Sequence, residues 1–273
     1  MKRAFVIGHP IAHSRSPAIH NHWLRAYGIE GSYEAIDVAP DALAGFFDRL
    51  RAGEFAGGNV TIPHKEMAFA LADSRDALSE RIGAVNTLVR DGDRIAATNT
   101  DYLGFLGNLD QNVPGWSDGL KTAIVLGAGG ASRAILVALL ERGVEKIHLL
   151  NRTLETAEAL ALDLAAPILA GRISDFAAAA PKAGLLVNTT SVGMKNTRFA
   201  DLPLDLLPKK TLVTDIVYVP LMTPLLIEAQ ERGHPIVDGL GMLLHQAVPG
   251  FEAWFGVRPD VTPELRRLIE ATL

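Results

Sequence analysis

Short apolar runs and helical periods alternate along the chain. Residues 4–7 are continuously apolar and stop at Gly8-His9-Pro10, which predicts a buried strand. The pattern over 17–27 predicts a helix, 32–38 a second strand, 41–50 a second helix and 59–62 a third strand. That order is the β-α-β-α rhythm of an α/β domain, whose crossovers are right-handed. A helical stretch follows from 66 to about 82, then a further segment at 84–90. Asp91-Gly92-Asp93 predicts a hairpin turn into 94–97.

A helix is predicted at 101–109. Residues 112–119 collect Pro, Gly, Ser, Asp and Asn, the composition of a linker. A second unit begins beyond it, with strands predicted at 121–126, 146–150, 185–188 and 211–217 and helices at 131–142 and 153–164. This is a repeat of nucleotide-binding type. The tail, 239–255 and then 262–272, reads as helical and is expected to fold back on the first unit.

Composition narrows the classes. At roughly 150 residues per domain, 273 residues suggest two domains. Hydrophobic residues make up 48% and charged residues 21%, enough apolar surface for a sizeable core and too much for global disorder. The net charge of −5 gives no support to nucleic-acid binding. Cysteine is absent, which excludes disulfides, thiolate zinc sites and cysteine nucleophiles. No apolar stretch approaches the roughly 18 residues that span a bilayer, and the apolar start is too short for a secretory signal. The expectation is a cytoplasmic protein with no membrane partner.

The sharpest local signal is Thr122-Ala-Ile-Val-Leu-Gly127-Ala128-Gly129-Gly130-Ala131-Ser132-Arg133-Ala134. A β-branched strand runs through a glycine cluster straight into a helix. Gly127 suits a tight turn, and Gly129 lets the backbone approach a pyrophosphate at the helix N-terminus. The usual third glycine is Ser132, so the same turn also has a purely structural reading. About 20 residues on, where a ribose-binding acid is expected, the chain reads Asn151-Arg152-Thr153. Arg152 suits a 2′-phosphate, which favours NADP over NAD; Asn151 and Thr153 could equally cap the following helix.

The first unit carries a polar constellation. Ser14 and Ser16 lie in a loop between strand and helix, where Ser16 before Pro17 also reads as an N-cap. Asn59 and Thr61 lie in the third strand and Lys65 just past its end, and Asn86-Thr87 and Asn99-Thr100-Asp101 follow further apolar runs. In a parallel sheet these endings would converge on one crevice. Lys65 and Asp101 are its one strong acid/base pair, able to exchange a proton with a substrate hydroxyl as hydride leaves the carbon. Of eight histidines, His9 and His13 are four apart and His20 and His22 two apart. With no acidic cluster beside them they read as turn, surface and packing residues, and no metal is expected.

Together these motifs resemble the shikimate dehydrogenase family. Pro10-Ile-x-His-Ser14-x-Ser16-Pro17 is similar to its N-terminal substrate loop, Asn59-Val-Thr61-Ile-Pro-x-Lys65 to its catalytic-lysine segment, and Gly83-Ala-Val-Asn86-Thr and Asn99-Thr-Asp101 to two further substrate segments. Asp215-Ile216-Val-Tyr218 and Asp238-Gly239-Leu-Gly241-Met-Leu-x-x-Gln246 resemble its remaining ligand segments. The resemblance implies an α/β fold of two domains: a substrate domain of residues 1–101 completed by helices in 239–273, and a Rossmann NADP domain of residues 102–238. It implies reversible reduction of 3-dehydroshikimate to shikimate by NADPH, in the pathway of aromatic amino acid biosynthesis. Lys65 and Asp101 would be catalytic; Ser14, Ser16, Asn59, Thr61, Asn86, Tyr218 and Gln246 would bind the substrate. Gly127 to Ala131, Asn151, Arg152, Thr153, Ile216 and Gly239 would hold the cofactor.

One departure stands out. The family often carries a second basic residue three positions after the clamp Thr, and here that position is Thr156, next to Glu155. Weaker NADP binding and some use of NAD are expected. The rival readings are a quinate/shikimate dehydrogenase with relaxed cofactor use, a folate-linked dehydrogenase, which would lack the serine loop, and a nucleotide-sensing homologue without chemistry, against which Lys65 and Asp101 count. The expected partners are a small-molecule substrate and a second copy in a homodimer.

Overall fold

The apolar run at 4–7 forms the middle of β1 (Lys2–Gly8), a central strand of the first of two six-stranded sheets. The computed structural model describes residues 1–273, and the chain divides into two units: Met1–Asp101 with Leu244–Thr272, and Tyr102–Leu243. In the first unit β1 is followed by α1 (Ser16–Ala26), β2 (Gly31–Asp37), α2 (Leu43–Arg51), β3 (Gly57–Val60), α3 (Lys65–Leu71), β4 (Ser74–Arg75), α4 (Ala77–Ile82), β5 (Thr87–Asp91) and β6 (Arg94–Thr98). The strand order is β2-β1-β3-β5-β6-β4. Phe5, wholly buried, packs edge-on against Phe46 and Phe55 at 4.8 and 5.1 Å between ring centres. A Cβ on Gly58 would lie 2.4 Å from the Phe5 ring, so glycine in β3 is what admits the aromatic.

Two expectations change here. The sheet is mixed: β1 is parallel to β2 and β3, whereas β5 is antiparallel to β3 and β6. The helix expected from 66 to about 82 is two short helices with β4 between them. Asp73 accepts the backbone N–H of Ile95 at 2.8 Å, and Asp76 caps α4 by accepting that of Ser79 at 2.6 Å. Asp73 ties the chain to β6 and Asp76 starts a new helix locally, which together divert the chain from one long helix.

The second unit continues with α5 (Asp101–Asn112), β7 (Thr122–Leu126), α6 (Gly130–Glu141), β8 (Lys146–Asn151), α7 (Leu154–Leu164), β9 (Ile168–Arg172), α8 (Phe176–Ala179), β10 (Leu185–Asn188), β11 (Val192–Lys195), β12 (Leu212–Asp215), α9 (Pro224–Glu231) and β13 (Ile236–Val237). Its sheet runs β13-β12-β10-β7-β8-β9, parallel at every pairing. Counted from β7, this is the doubly wound order 3-2-1-4-5-6, whose direction reverses between β7 and β10. Segment 112–119 is a series of turns inside this unit, with Trp116 Nε1 donating to Asp110 at 2.8 Å, rather than a linker between units.

The chain ends with α10 (Leu240–Phe255) and α11 (Pro263–Glu270). The start of α10 groups with the second unit, where Asn108 donates to Asp238 O at 2.7 Å. Its later turns belong to the first, where Trp254 Nε1 donates to Leu88 O at 2.8 Å. Trp254, Phe251, Trp23 and Tyr33 surround the wholly buried His20, with Tyr33 stacked on it at 4.0 Å. No helix is long and apolar enough to cross a membrane.

Candidate active site

Mixed direction brings the polar endings of the first unit to one sheet edge. Asn59 near the end of β3 pairs with Thr87 at the start of β5, and Thr87 with Thr98 at the end of β6. Asn86 therefore precedes its strand instead of following it, and the antiparallel run of β5 puts it beside Asn99, Thr100 and Asp101. Gly8 closes β1 at the same edge, where a Cβ would lie 2.7 Å from Thr61 Cγ2. The edge collects Thr61, Lys65, Asn86 and Asp101 without a parallel sheet.

Lys65 opens α3 and Asp101 opens α5. Lys65 Nζ donates to Asp101 Oδ2 at 2.5 Å, with side chains 22% and 12% exposed. Asn86 Nδ2 donates to the other carboxylate oxygen at 2.7 Å. The Asn86 carbonyl oxygen in turn accepts from the Thr100 N–H at 2.7 Å, so the amide cannot turn away. Asn99 accepts the Asp101 N–H at 3.0 Å. This leaves an ammonium, partly open to solvent, held beside a carboxylate fixed on both oxygens. It can deliver a proton to an alkoxide forming within reach and take one back from a hydroxyl.

Asn59 is spent on protein partners: its amide donates to Asn86 O and Thr87 Oγ1, both at 3.1 Å, and its oxygen accepts from the Tyr33 hydroxyl at 2.6 Å. Tyr33, missed in the sequence reading, also meets Ser16, and burial pushes its hydroxyl well above the usual phenol range. In a strand an aromatic of this kind looks like any core residue; nothing in its spacing marks it. Ser16 is the first residue of α1 and not its cap; Ser14 Oγ accepts its N–H at 3.3 Å. Gln246 lies buried on α10 in the same unit.

In the second unit Gly127 directly follows β7 with φ +101, a left-handed conformation that only glycine adopts freely. A Cβ there would meet Thr190 at 2.7 Å and Thr189 at 2.9 Å, two residues following β10 that the sequence reading passed over. The apolar-then-polar run Leu185 to Thr190 could have signalled them. Ser132 Oγ donates to Gly129 O at 2.5 Å, so the serine in place of the third glycine pins the loop from below. Above Gly129 and Gly130 a Cβ would meet nothing within 4 Å. This open cradle lies at the first turn of a 12-residue helix and at the switch point of the sheet, so the residues fit a dinucleotide pyrophosphate.

Asn151, Arg152 and Thr153 line a groove of about 660 Å³ in this unit. Thr153 holds the cap position of α7 but makes no side-chain cap bond, and Asn151 Nδ2 donates to Thr153 O at 2.9 Å. Gly239 lies against Ile216, whose carbonyl oxygen would be 2.6 Å from a Cβ. The Asp215 carboxylate, which anchors the segment carrying Ile216 and Tyr218, accepts from Asn188 Nδ2 at 2.9 Å, Val217 N at 2.9 Å and Thr223 Oγ1 at 2.7 Å. Burial nevertheless pushes it up to about 6. No three His, Cys, Asp or Glu side chains are grouped so as to hold a metal ion; His9 instead meets Asp37 at 2.6 Å.

Three family models match the chain: the shikimate dehydrogenase substrate binding domain over residues 6–88, shikimate/quinate 5-dehydrogenase over 112–227, and the shikimate 5′-dehydrogenase C-terminal domain over 239–263. The shikimate dehydrogenase (NADP(+)) of Rhodopseudomonas palustris is 54% identical over 273 residues, covering 100% of this chain and 98% of that one. The shikimate 5-dehydrogenase of Thermus thermophilus, solved with NADP(H) and shikimate, superposes with a TM-score of 0.89 at 39% identity over the full length of both chains. The quinate dehydrogenase of Corynebacterium glutamicum, solved with NAD, superposes at 0.90 but is 29% identical, covering 100% of this chain and 99% of that one. The chain belongs to the shikimate dehydrogenase family.

Proposed function

We propose that the protein catalyses the reversible NADPH-dependent reduction of 3-dehydroshikimate to shikimate. The observation that carries this reading is the Lys65–Asp101 pair at 2.5 Å, locked by Asn86 on a polar sheet edge. Bound NADPH supplies the hydride that adds to the C3 carbonyl carbon. Lys65 hands its proton to the carbonyl oxygen as charge develops there, and the Asp101 carboxylate orients the ammonium and balances its charge. In the reverse direction Lys65 takes the proton from the hydroxyl.

Ser14 and Ser16 are assigned to the substrate carboxylate, and Thr61, Asn86, Tyr218 and Gln246 to its hydroxyls and ring. Asn59, bonded to Tyr33, Asn86 and Thr87, serves by holding Asn86 and Tyr33 in register. Several hydroxyl contacts would discriminate strongly, because an analogue lacking one leaves a polar group unpaired. Gly127 to Ala131 are assigned to the pyrophosphate, Asn151, Arg152 and Thr153 to the 2′-phosphate side, and Ile216 and Gly239 to the nicotinamide side. On this reading residues 1–101 with 239–273 form the substrate domain and 102–238 the NADP domain, in a cytoplasmic enzyme that pairs as a homodimer.

The test is NADP reduction with shikimate run beside quinate, each with NADP and NAD. Fast turnover confined to shikimate and NADP supports the reading. Preference for quinate with NAD would move the protein to the quinate branch, and binding of NADPH without turnover on either acid would remove the enzymatic role.

A further inference from the structure

Thr156 leaves the 2′-phosphate clamp one cation short, and the acid beside it worsens the deficit. The fold brings replacements from two other elements. Arg172 ends β9 directly opposite Asn151 in the β8–β9 register, so it stands on the same sheet edge as Arg152. Its guanidinium lies 4.0 Å from the Glu155 carboxylate. Arg198, in the segment after β11, lines the same groove as Asn151, Arg152, Thr153 and Arg172. Neither Arg152 nor Arg198 is engaged by an acidic side chain, although this protein pairs most of its arginines. The one acid lining the groove is Asp201.

Unpaired guanidiniums converging on one groove of an acidic protein are spent on an anion, and a planar fork matches phosphate oxygens. We propose that Arg198 is the second cation of the 2′-phosphate site, replacing the basic residue missing at Thr156, and that Arg172 neutralises Glu155 so that the phosphate is not repelled. The inference rests on the NADP reading above and goes beyond it by assigning cofactor specificity to two residues outside the Asn151-Arg152-Thr153 motif.

The test is equilibrium binding, without turnover, of NADPH, NADH, 2′,5′-ADP and 5′-AMP. For Arg198→Ala the dissociation constants of NADPH and 2′,5′-ADP should rise about tenfold, the loss of one charge-assisted hydrogen bond, while those of NADH and 5′-AMP stay within about twofold. Arg198→Lys should recover part of the loss. Arg172→Ala should weaken NADPH several-fold, and adding Glu155→Ala should restore it, because the uncovered carboxylate is then gone. Equal losses for all four ligands, or none, in Arg198→Ala would overturn the assignment of Arg198; failure of Glu155→Ala to rescue would overturn that of Arg172. The NADP reading fails separately, if the unaltered protein binds NADPH no tighter than NADH or if Arg152→Ala leaves their ratio unchanged.

Discussion

Asn86 Nδ2 donates to Asp101 Oδ1 at 2.7 Å while Lys65 Nζ reaches the second oxygen of the same carboxylate at 2.5 Å. One carboxylate is thus clamped from two sides, by an amide that fixes its plane and by the ammonium to which the proton transfer is assigned. Asn86 is fixed in turn by Thr100 and Asn59, so the pair is positioned by three separate segments of the first unit.

On the proposed mechanism, removing the ammonium removes the proton donor and leaves the scaffold. Lys65→Ala should cut kcat by a factor on the order of 10² or more, with an unchanged circular dichroism spectrum and NADPH affinity. Asn86→Ala should be milder, roughly tenfold in kcat, since it frees the carboxylate to rotate but keeps both members of the pair. Steady-state kinetics on shikimate beside NADPH titration tests both. Near-normal turnover in Lys65→Ala would take the lysine out of the chemistry.

Tyr33→Phe deletes one oxygen from a wholly enclosed site. Asn59 Oδ1 then loses its donor at 2.6 Å, and a buried acceptor left unpaired costs about 1–3 kcal/mol. The urea midpoint should fall accordingly. Because the same hydroxyl meets Ser16, KM for shikimate should rise more than kcat falls. A loss of stability with unaltered KM would confine Tyr33 to packing.

Gly127→Ala tests the cofactor cradle. The added Cβ would meet Thr190 at 2.7 Å in a backbone conformation at φ +101 that alanine adopts only under strain. Stability should drop by about 1–3 kcal/mol, and NADPH and NADH should both bind more weakly, because the pyrophosphate turn is common to them. Gly129→Ala, with nothing within 4 Å of the new Cβ, should leave stability nearly intact and still weaken both cofactors. Intact binding in Gly129→Ala would place the pyrophosphate elsewhere.

What the sequence disclosed follows from where the physics is local. The β7–α6 turn is legible in residues 122–134 because an apolar β-branched run, a glycine cluster and a helical period sit side by side. The direction of β5 is not, since an apolar run carries no arrow, and its pairing with β3 is decided by packing at a distance. The break at 73–76 is only half local: Asp76 accepting the Ser79 N–H three residues on is capping chemistry that the sequence carries, whereas Asp73 accepts from Ile95 on β6, a contact that spacing does not disclose. Arg172 and Arg198 could not be assigned from spacing, because they reach the groove of Arg152 only through β8–β9 register and the course of the chain beyond β11.

Two buried groups in different units give opposite pH signatures. Burial lowers His20 to about 3 within its aromatic box; Asn59 alongside offsets little of this, and neither ring nitrogen has a hydrogen-bond partner. The unfolded chain binds that proton more tightly, so stability from His20 is full above about pH 6.5 and is lost as pH falls toward 3. Asp215 works the other way: raised to about 6, its folded carboxyl binds a proton more tightly than the unfolded one. Its contribution is full below about pH 4 and is lost as pH rises through 6. Between pH 4 and 6 the two slopes cancel, and removing either group exposes the other. For Asp215→Asn, unfolding free energy relative to the unaltered protein should rise by about 1.4 kcal/mol per pH unit across that window; for His20→Phe it should fall by about as much. Urea midpoints from pH 4 to 6.5 measure the difference directly, whatever constant offset each substitution adds. A difference that does not vary with pH in Asp215→Asn would mean the carboxyl titrates at its ordinary value, solvated despite its burial.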